Sequence, residues 1–542
     1  MNRSKFFFPA LLVLIWIIAT IIVNPIGNFP LNDDWQYARP VAYLINKGHY
    51  FAPDTYSPII IAQVYWGALF CLPWGFSYTA LRISVLVLGL LGIIGFYFLI
   101  NLITGNKKVS FIGALILLVN PFYLSHANSF MTDVPFLAFV IFSVFFFLKS
   151  LQTDKFLFLI LAVIFAIVAT LIRQFCIAIP FAYAFAVIIK YKPGIVGSLK
   201  YFIPAVLAIL AYNLGLVWLK YIGSELRPYA GHTVGGFLSE PAAVAEQIFE
   251  RAGHILYYSA FFLFPLLVYN TRDVYRSLSS KQKKIVWIFP LIFIPSLMST
   301  WHQLPYGPII KQWSIGVNTL RTGVVPPPHL DFDIPQIILN SIGFIGAILL
   351  LIDVGAIIIK LVKSYRASSL NTISAYQVFI LVGIIGYALL MFIPVFFFDR
   401  YTLLFVPFFL LLVLSNWQPD AILKPGKLIF SGIFIFLIAY FSITATHDYL
   451  EWNRTRWQAL EYLVSEREVY SHKIDGGSEY AGWINEPFYP NIENNPVAND
   501  DEYVVSFANL NGYEIIKQFP YQNYFPFETR NICILHRIME HR

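Results

Sequence analysis

Long apolar runs separated by short polar segments fill the first 446 residues of the chain. They lie at about 6–26, 78–100, 109–127, 134–149, 156–171, 175–190, 201–222, 254–270, 285–301, 334–359, 376–397, 401–415 and 428–446. A membrane-spanning helix needs about 20 mostly apolar residues, and a backbone inside lipid must satisfy its own hydrogen bonds, which favours helices. The pattern therefore predicts a mainly α, polytopic membrane bundle of about 13 transmembrane helices.

The pattern changes after residue 446. Residues 453–468 have apolar residues near helical spacing. Short strand-like pieces separated by Asn, Gly and Pro follow at 502–507, 512–519 and 531–538. We therefore predict a transmembrane domain over residues 1–446 and a small α/β domain over residues 447–542.

A shorter apolar run, 58–72, decides which segments share a side of the membrane. It contains Gln63 and is short for a span, which favours an interfacial or re-entrant helix. The first outer loop is then expected at about 27–77, with its interfacial helices at about 33–72. If it does not cross and the N-terminus is cytoplasmic, the inner segments contain 19 Lys and Arg, against nine in the outer loops before residue 447. The positive-inside rule then predicts an extracytoplasmic C-terminus. Outer loops are expected at 223–253 and 302–333.

The composition agrees with a membrane protein and excludes a string of soluble domains. The chain is 58% hydrophobic and 12% charged. A net charge of +7 is ordinary under the positive-inside rule, and no basic patch indicates nucleic-acid binding. The spacing of the histidines matches no metal motif, so the sequence supports no metal site, although a divalent cation remains open.

Three carboxylates are predicted at the outer face. Asp33 and Asp34 lie in "NDDWQYA", soon after the first apolar run, and Asp133 lies in "SFMTDVPF" between two later runs. Asp before a helix is also a capping pattern, and capping is a reasonable alternative for each one taken alone. Acids at membrane depth are costly to bury and therefore indicate function, so together the three are candidate catalytic residues.

Two arginines are predicted on the same side. Arg173 lies in "LIRQF" and Arg400 in "FDRYTLLFVP". The alternatives are snorkelling toward lipid headgroups, which we also expect for Arg82, or an interaction between Asp399 and Arg400. Functionally, the planar guanidinium suits phosphate.

Carboxylates and arginines at a lipid surface fit one chemistry in particular. A sugar on a lipid phosphate already has a good leaving group, so the enzyme must deprotonate an acceptor hydroxyl, which a carboxylate can do. It must also neutralise the departing phosphate, which arginine can do.

These motifs resemble the membrane-embedded GT-C glycosyltransferases, specifically the bacterial relatives of protein O-mannosyltransferases and aminoarabinose transferases. The similar segments are "NDDWQYA", "SPIIIAQVYWGALFCLPWGFSYTALRIS", "MTDVPF", "LIRQF", "DRYTLLFVPFFLLL" and, in the tail, "KIDGGSEYAGW". Each motif is short, but their order and sidedness together are fairly specific.

The resemblance implies an inverting glycosyltransferase of the bacterial inner membrane. Its donor would be a polyprenyl-phosphate sugar, and its acceptor a lipid, glycan or protein at the outer face. Asp33 or Asp34 would act as the base, and Asp133 would hold the acceptor, assist the base or bind a divalent ion. Arg173 and Arg400 would bind the donor phosphate. The family's first acidic pair is usually Asp-Glu, and here it is Asp-Asp, which leaves open which carboxylate is the base.

Two other functions remain open from the sequence. A transporter or flippase of lipid-linked sugars would also have many spans, but transporters place polar residues and broken helices near the membrane midplane. An O-antigen ligase or polymerase would need a large outer loop rich in Arg and His, and the loop at 302–333 contains only Lys311, Arg321 and two His.

Overall fold

The computed structural model describes most of the chain. The described residues are 6–51, 58–224, 226, 240–299, 333–367, 369–394, 397–416, 425–485, 502–525 and 527–538. The outer loop expected at 302–333 lies outside this part of the chain apart from Asp333, and so do residues 227–239 of the loop expected at 223–253.

Helices account for nearly all of the described residues before 474. Their bounds are α1 Phe7–Val23, α2 Asp34–Lys47, α3 Ile61–Cys71, α4 Tyr78–Thr104, α5 Lys107–Leu118, α6 Pro121–Ala127, α7 Asp133–Thr153, α8 Phe156–Thr170, α9 Ala178–Tyr191, α10 Ile195–Leu199, α11 Ile203–Tyr221, α12 Pro241–Ser277, α13 Ser280–Val286, α14 Ile288–Ser299, α15 Asp333–Arg366, α16 Thr372–Met391, α17 Phe405–Ser415 and α18 Pro425–Glu461. Short 3₁₀ turns precede α9 at Gln174–Ile177 and α17 at Asp399–Leu404.

The mainly α membrane fold is confirmed, whereas the count of 13 spans is not. Eight helices among the described residues are long and apolar enough to cross a membrane, or nine if α5 and α6, which meet at 64°, form one broken span. Several predicted runs form helices that are too short by this measure. α8 has 15 residues and α17 has 11, which correspond to only about 22 and 16 Å of rise against a hydrocarbon core of about 30 Å.

Helix α3 has the short length expected for the run at 58–72. Its 11 residues pack against α2 and α4. Gly48, with φ of 75°, ends α2 in the left-handed conformation that closes many helices. The chain can therefore turn back from α2 toward α3.

Small residues bring α4 close to the helices beside it. A Cβ at Gly92 would lie 2.8 Å from the Tyr123 hydroxyl and 3.3 Å from the Ala138 Cα. Tyr123 on α6 donates to the Gly89 carbonyl at 2.6 Å. Close packing of this kind is typical of membrane helices, and it fixes α6 and α7 against α4.

The C-terminal region combines helix α18 with a small sheet. β1 Ile474–Asp475, β2 Tyr503–Ser506, β3 Tyr513–Tyr524 and β4 Phe527–Arg537 form a four-stranded sheet in the order β1-β2-β4-β3, with β1 parallel to β2 and the other pairs antiparallel. Trp452 and Leu460 of α18 share a core with Val505 and Ile534 of the sheet. The predicted boundary at 446/447 falls inside α18, which runs without a break from the last apolar run into this domain.

Candidate functional site

Asp33 and Arg400 form an ion pair between the first outer loop and the 3₁₀ turn before α17. The Arg400 Nη2 lies 3.2 Å from the Asp33 Oδ2. Asp33 occupies the N-cap position of α2, yet its side chain accepts no capping hydrogen bond. Its side chain is 41% exposed, whereas that of Arg400 is 5% exposed. The pair therefore has a buried cation and a carboxylate that a second molecule can reach.

Asp34 is in a different environment from its neighbour. Its side chain is fully buried. One carboxylate oxygen accepts the Leu31 amide at 2.7 Å, and the other accepts the Phe130 amide at 3.2 Å. Asp34 thus links the first outer loop to the segment that leads into Asp133.

Burial also changes the acidity of Asp34. Loss of water around the carboxyl raises its pKa to about 7, against the opposing effects of Arg82 and the two backbone amides. The two adjacent acids therefore differ in exposure, partners and protonation.

Asp133 and Arg173 form a second, more buried pair. The Arg173 Nη1 lies 3.2 Å from the Asp133 Oδ1, and the Nη2 donates to Oδ2 at 3.3 Å. The Nε donates to the Thr132 hydroxyl at 2.6 Å. This two-pronged contact fixes the plane of the carboxylate at the start of α7.

Tyr401 brings the two arginines together. The Arg173 guanidinium carbon lies 5.6 Å from the centre of the Tyr401 ring, and that of Arg400 lies 5.7 Å away. The Arg400 Nε is buried, and no described atom accepts its hydrogen bond. Arg400 therefore retains a donor for a further acceptor in the same place.

All three arginines for which snorkelling toward lipid headgroups was considered are buried in the protein. Arg173 and Arg400 are 6% and 5% exposed, and each contacts a carboxylate of the protein. Arg82 is fully buried, so the expectation that it snorkels is wrong.

Arg82 instead binds the first outer loop. It donates to the Pro25 carbonyl at 3.0 Å and the Gly27 carbonyl at 2.9 Å, and it also contacts the Phe29 carbonyl. The loop sequence "NPIGNFP" is rich in Pro and Gly and lacks helical hydrogen bonds, so its carbonyls need donors. The available signal for this role was an arginine in the first turns of α4, an otherwise apolar helix.

Asp399 and Arg400 do interact, as the sequence left open, but through the Arg400 backbone amide. The Asp399 Oδ1 accepts this amide at 2.8 Å, and the Asp399 side chain is fully buried. Burial raises its pKa to about 8. This contact shapes the turn that presents Arg400.

Two further polar residues shape the site, and neither was predicted from the sequence to be a site residue. Gln63 of α3 donates to the Phe130 carbonyl at 2.9 Å, next to the amide that Asp34 binds. Glu479 of the C-terminal domain accepts the Asn32 amide at 3.0 Å. Their partners lie 67 and 447 residues away in the sequence. The periodicity of the local sequence therefore could not predict either contact.

The described residues include no group of three or more His, Cys, Asp or Glu arranged to hold a metal ion. His126 of α6 lies near Asp133, the first residue of α7. The His126 Nδ1 is 2.7 Å from the Phe122 carbonyl. Binding of a divalent cation by Asp133 stays a prediction.

A family match covers part of the site. Residues 58–218 match the family model described as dolichyl-phosphate-mannose-protein mannosyltransferase. This segment includes Gln63, Arg82, Asp133 and Arg173 and supports the resemblance to GT-C glycosyltransferases. No curated protein sequence matches the chain.

Three solved structures of membrane glycosyltransferases are weakly similar to this chain. The S. cerevisiae protein O-mannosyltransferase Pmt1-Pmt2 complex bound to the sugar donor is 16% identical, with a TM-score of 0.31, over 40% of this chain and 33% of that one. ArnT from Cupriavidus metallidurans bound to undecaprenyl phosphate is 12% identical, with a TM-score of 0.42, over 99% of this chain and 98% of that one. The Archaeoglobus fulgidus oligosaccharyltransferase in complex with Zn and sulfate is 15% identical, with a TM-score of 0.42, over 83% of this chain and 55% of that one. The chain thus spans about a third of the length of the first of these proteins. TM-scores below 0.5 do not allow an activity to be inferred from these structures.

Proposed function

We propose that this protein transfers a sugar from a polyprenyl-phosphate donor to an acceptor hydroxyl at the extracytoplasmic face of a bacterial inner membrane, with inversion at the sugar carbon. The acceptor would be a lipid, a glycan or a protein. The observation that carries the proposal is the arrangement of one accessible carboxylate, Asp33, beside the buried cation Arg400, with the Asp133–Arg173 pair close to the same Tyr401 ring.

Asp33 is the proposed general base. Of the two adjacent acids, it is the one whose carboxylate is open to an incoming hydroxyl. Its Oδ atom takes the acceptor proton as the acceptor oxygen forms a bond to the anomeric carbon. The bond from that carbon to the phosphate oxygen breaks at the same time, and its electron pair leaves with the lipid phosphate.

Arg400 is the proposed phosphate ligand. Its Nη2 reaches Asp33 and its Nε is a buried donor that no described atom satisfies. A phosphate oxygen at that position would complete the guanidinium contacts and lie next to the base. The charge that develops on the leaving phosphate is then stabilised by a cation already held in place, which is the efficient form of electrostatic catalysis.

Asp133 is proposed to orient the acceptor hydroxyl, and Arg173 to hold Asp133. All three donor groups of Arg173 are directed to Thr132 and Asp133. We therefore assign Arg173 mainly to positioning, with a contact to the donor phosphate as its secondary role. Asp34, whose oxygens both accept backbone amides, is proposed to fix the geometry of the loop.

The proposal is tested by mass spectrometry of envelope glycolipids and glycoproteins. Cells that lack the protein are compared with cells that express the wild type or Asp33→Asn at equal membrane levels. We expect one glycoform to be absent without the protein, restored by the wild type and not by Asp33→Asn. Identical glycoforms in all three strains would overturn the proposal. Restoration by Asp33→Asn would favour a transporter, which needs no base.

A further inference from the structure

Glu479 connects the C-terminal domain to the first outer loop through a buried carboxylate. It is 1% exposed. Its Oε1 accepts the Asn32 amide at 3.0 Å, and its Oε2 lies 3.2 Å from the Arg456 Nη1. Arg456 is itself fully buried on α18. One side chain thus joins the C-terminal half of α18 to the backbone directly before the acidic pair.

Asn32 is the residue whose backbone this contact holds. Its φ of 54° is in the left-handed region. Residues other than glycine adopt this conformation infrequently and keep it when the surroundings determine it. The direction in which the chain leaves Asn32 sets the direction of Asp33, which is the next residue and the N-cap of α2. A change at the Asn32 amide is therefore transmitted to Asp33.

The rest of residues 476–483 packs against the same loop and the helices beside it. A Cβ on Gly482 would lie 2.4 Å from the Trp35 ring. Arg39 of α2 donates to the Gly482 carbonyl. The Trp483 ring stacks on Phe76 with centroids 5.6 Å apart. The segment 476–483 thus contacts α2 through Trp35 and Arg39 and the residues just before α4 through Phe76.

We infer that Glu479 is a positioning residue for the base Asp33, and that the C-terminal domain contributes to catalysis through it. The inference rests on the proposed function, in which Asp33 accepts the acceptor proton. A base must lie within hydrogen-bond reach of that proton, and a displacement of about 1 Å lowers a rate by about 100-fold. Glu479 does not touch the reacting atoms in this account, and its effect is confined to the orientation of Asp33.

The test compares Glu479→Ala with wild type in lipid nanodiscs. Transfer is measured as release of undecaprenyl phosphate from synthetic undecaprenyl-phosphate hexoses and pentoses, in the presence of envelope extract as the acceptor source. We expect kcat to fall about 10- to 100-fold with little change in the donor KM. Hydrogen exchange of the peptide that contains residues 28–34 is expected to accelerate, while peptides of α7 and α16 exchange as in wild type.

Glu502→Ala is the matched control. Glu502 also forms an ion pair in the C-terminal domain, with Lys473 at 2.8 Å, but it does not contact the first outer loop. We expect its kcat and its exchange at residues 28–34 to equal those of the wild type. A second comparison uses Glu479→Gln, which retains an oxygen for the Asn32 amide and should keep more activity than Glu479→Ala.

The double variant Asp33→Asn/Glu479→Ala separates this inference from the proposed function. If Glu479 acts through Asp33, the double variant is no slower than Asp33→Asn alone. A further loss in the double variant, or unchanged exchange at residues 28–34 in Glu479→Ala, would overturn the positioning role. Full activity of Asp33→Asn would instead overturn the proposed function, while the exchange measurement would still report on the Glu479 contact.

Discussion

At the scale of single residues, two adjacent acids differ in exposure and in partners, and we propose different roles for them on that basis. Asp33 is exposed and faces Arg400, whereas Asp34 is buried and accepts two backbone amides. When two neighbouring acids are of the same residue type, it is their environments that can give one a catalytic and the other a structural role. From the sequence, both acids were candidate bases. The sequence did not distinguish them, because the burial of the Asp34 carboxylate depends on the distant segment around Phe130.

The raised pKa of Asp34 predicts a pH dependence of stability. An acid whose folded pKa is about 7 and whose unfolded pKa is 3.8 binds more protons in the folded state between these values. Its contribution is therefore present at low pH and lost as the pH rises through about 7. We expect the melting temperature of the wild type, minus that of Asp34→Asn, to fall between pH 4.5 and 7.5 and then to level off. A difference that is constant or rises with pH would show that Asp34 is ionised in the fold.

Arg400 predicts a substitution effect that charge alone does not explain. Arg400→Lys retains the charge but loses the planar set of donors that can bind Asp33 and a phosphate together. We expect Arg400→Ala to slow transfer about 100-fold or more and Arg400→Lys to recover little of that loss. Arg530→Lys, in an ion pair of the β-hairpin, is the control and should transfer at the wild-type rate. Wild-type turnover of both Arg400 variants would remove this residue from the mechanism.

At the scale of helices and strands, the hairpin of β3 and β4 is fixed to α18 by one carboxylate. Asp448 accepts the Tyr524 amide at 2.7 Å and the Phe525 amide at 2.9 Å, and lies 3.0 Å from the His447 Nδ1. Two part-buried amides lose their partner in Asp448→Ala, which costs at most about 1–3 kcal/mol for each group. We expect faster proteolysis of the hairpin in Asp448→Ala than in Glu451→Ala, whose carboxylate forms a partly exposed pair with Arg454. Equal proteolysis of the two variants would contradict this role.

The orientation of the helices remains a prediction that labelling can test. The three native cysteines are buried, so single cysteines can be placed at exposed positions. Tyr470 in the C-terminal domain is 71% exposed, and Tyr365 at the end of α15 is 54% exposed. We expect a membrane-impermeant maleimide to label Tyr470→Cys from outside intact spheroplasts and Tyr365→Cys only after permeabilisation. The reverse result would place the acidic pair and both arginines on the cytoplasmic side.

At the scale of the whole molecule, the sequence predicted the membrane helices and the C-terminal sheet but not the contacts between them. The apolar runs and the strand-like pieces near 502–507, 512–519 and 531–538 depend on local periodicity, which a sequence displays directly. The count of 13 spans is not confirmed, because a run of apolar residues does not reveal how long its helix is or where it breaks, as it does between α5 and α6. The pairing of Asp33 with Arg400 and of Glu479 with Asn32 joins residues 367 and 447 positions apart, which no local pattern encodes.

The central claim is that Asp33, and not Asp34, takes the acceptor proton. It is tested most directly by single-turnover transfer from a synthetic undecaprenyl-phosphate sugar by Asp33→Asn in nanodiscs, with undecaprenyl phosphate binding measured on the same preparation. Asparagine keeps the shape of the side chain but cannot accept the proton. The account predicts that Asp33→Asn is folded, binds undecaprenyl phosphate and transfers roughly 100- to 10,000-fold more slowly than the wild type. Transfer by Asp33→Asn at the wild-type rate would contradict it.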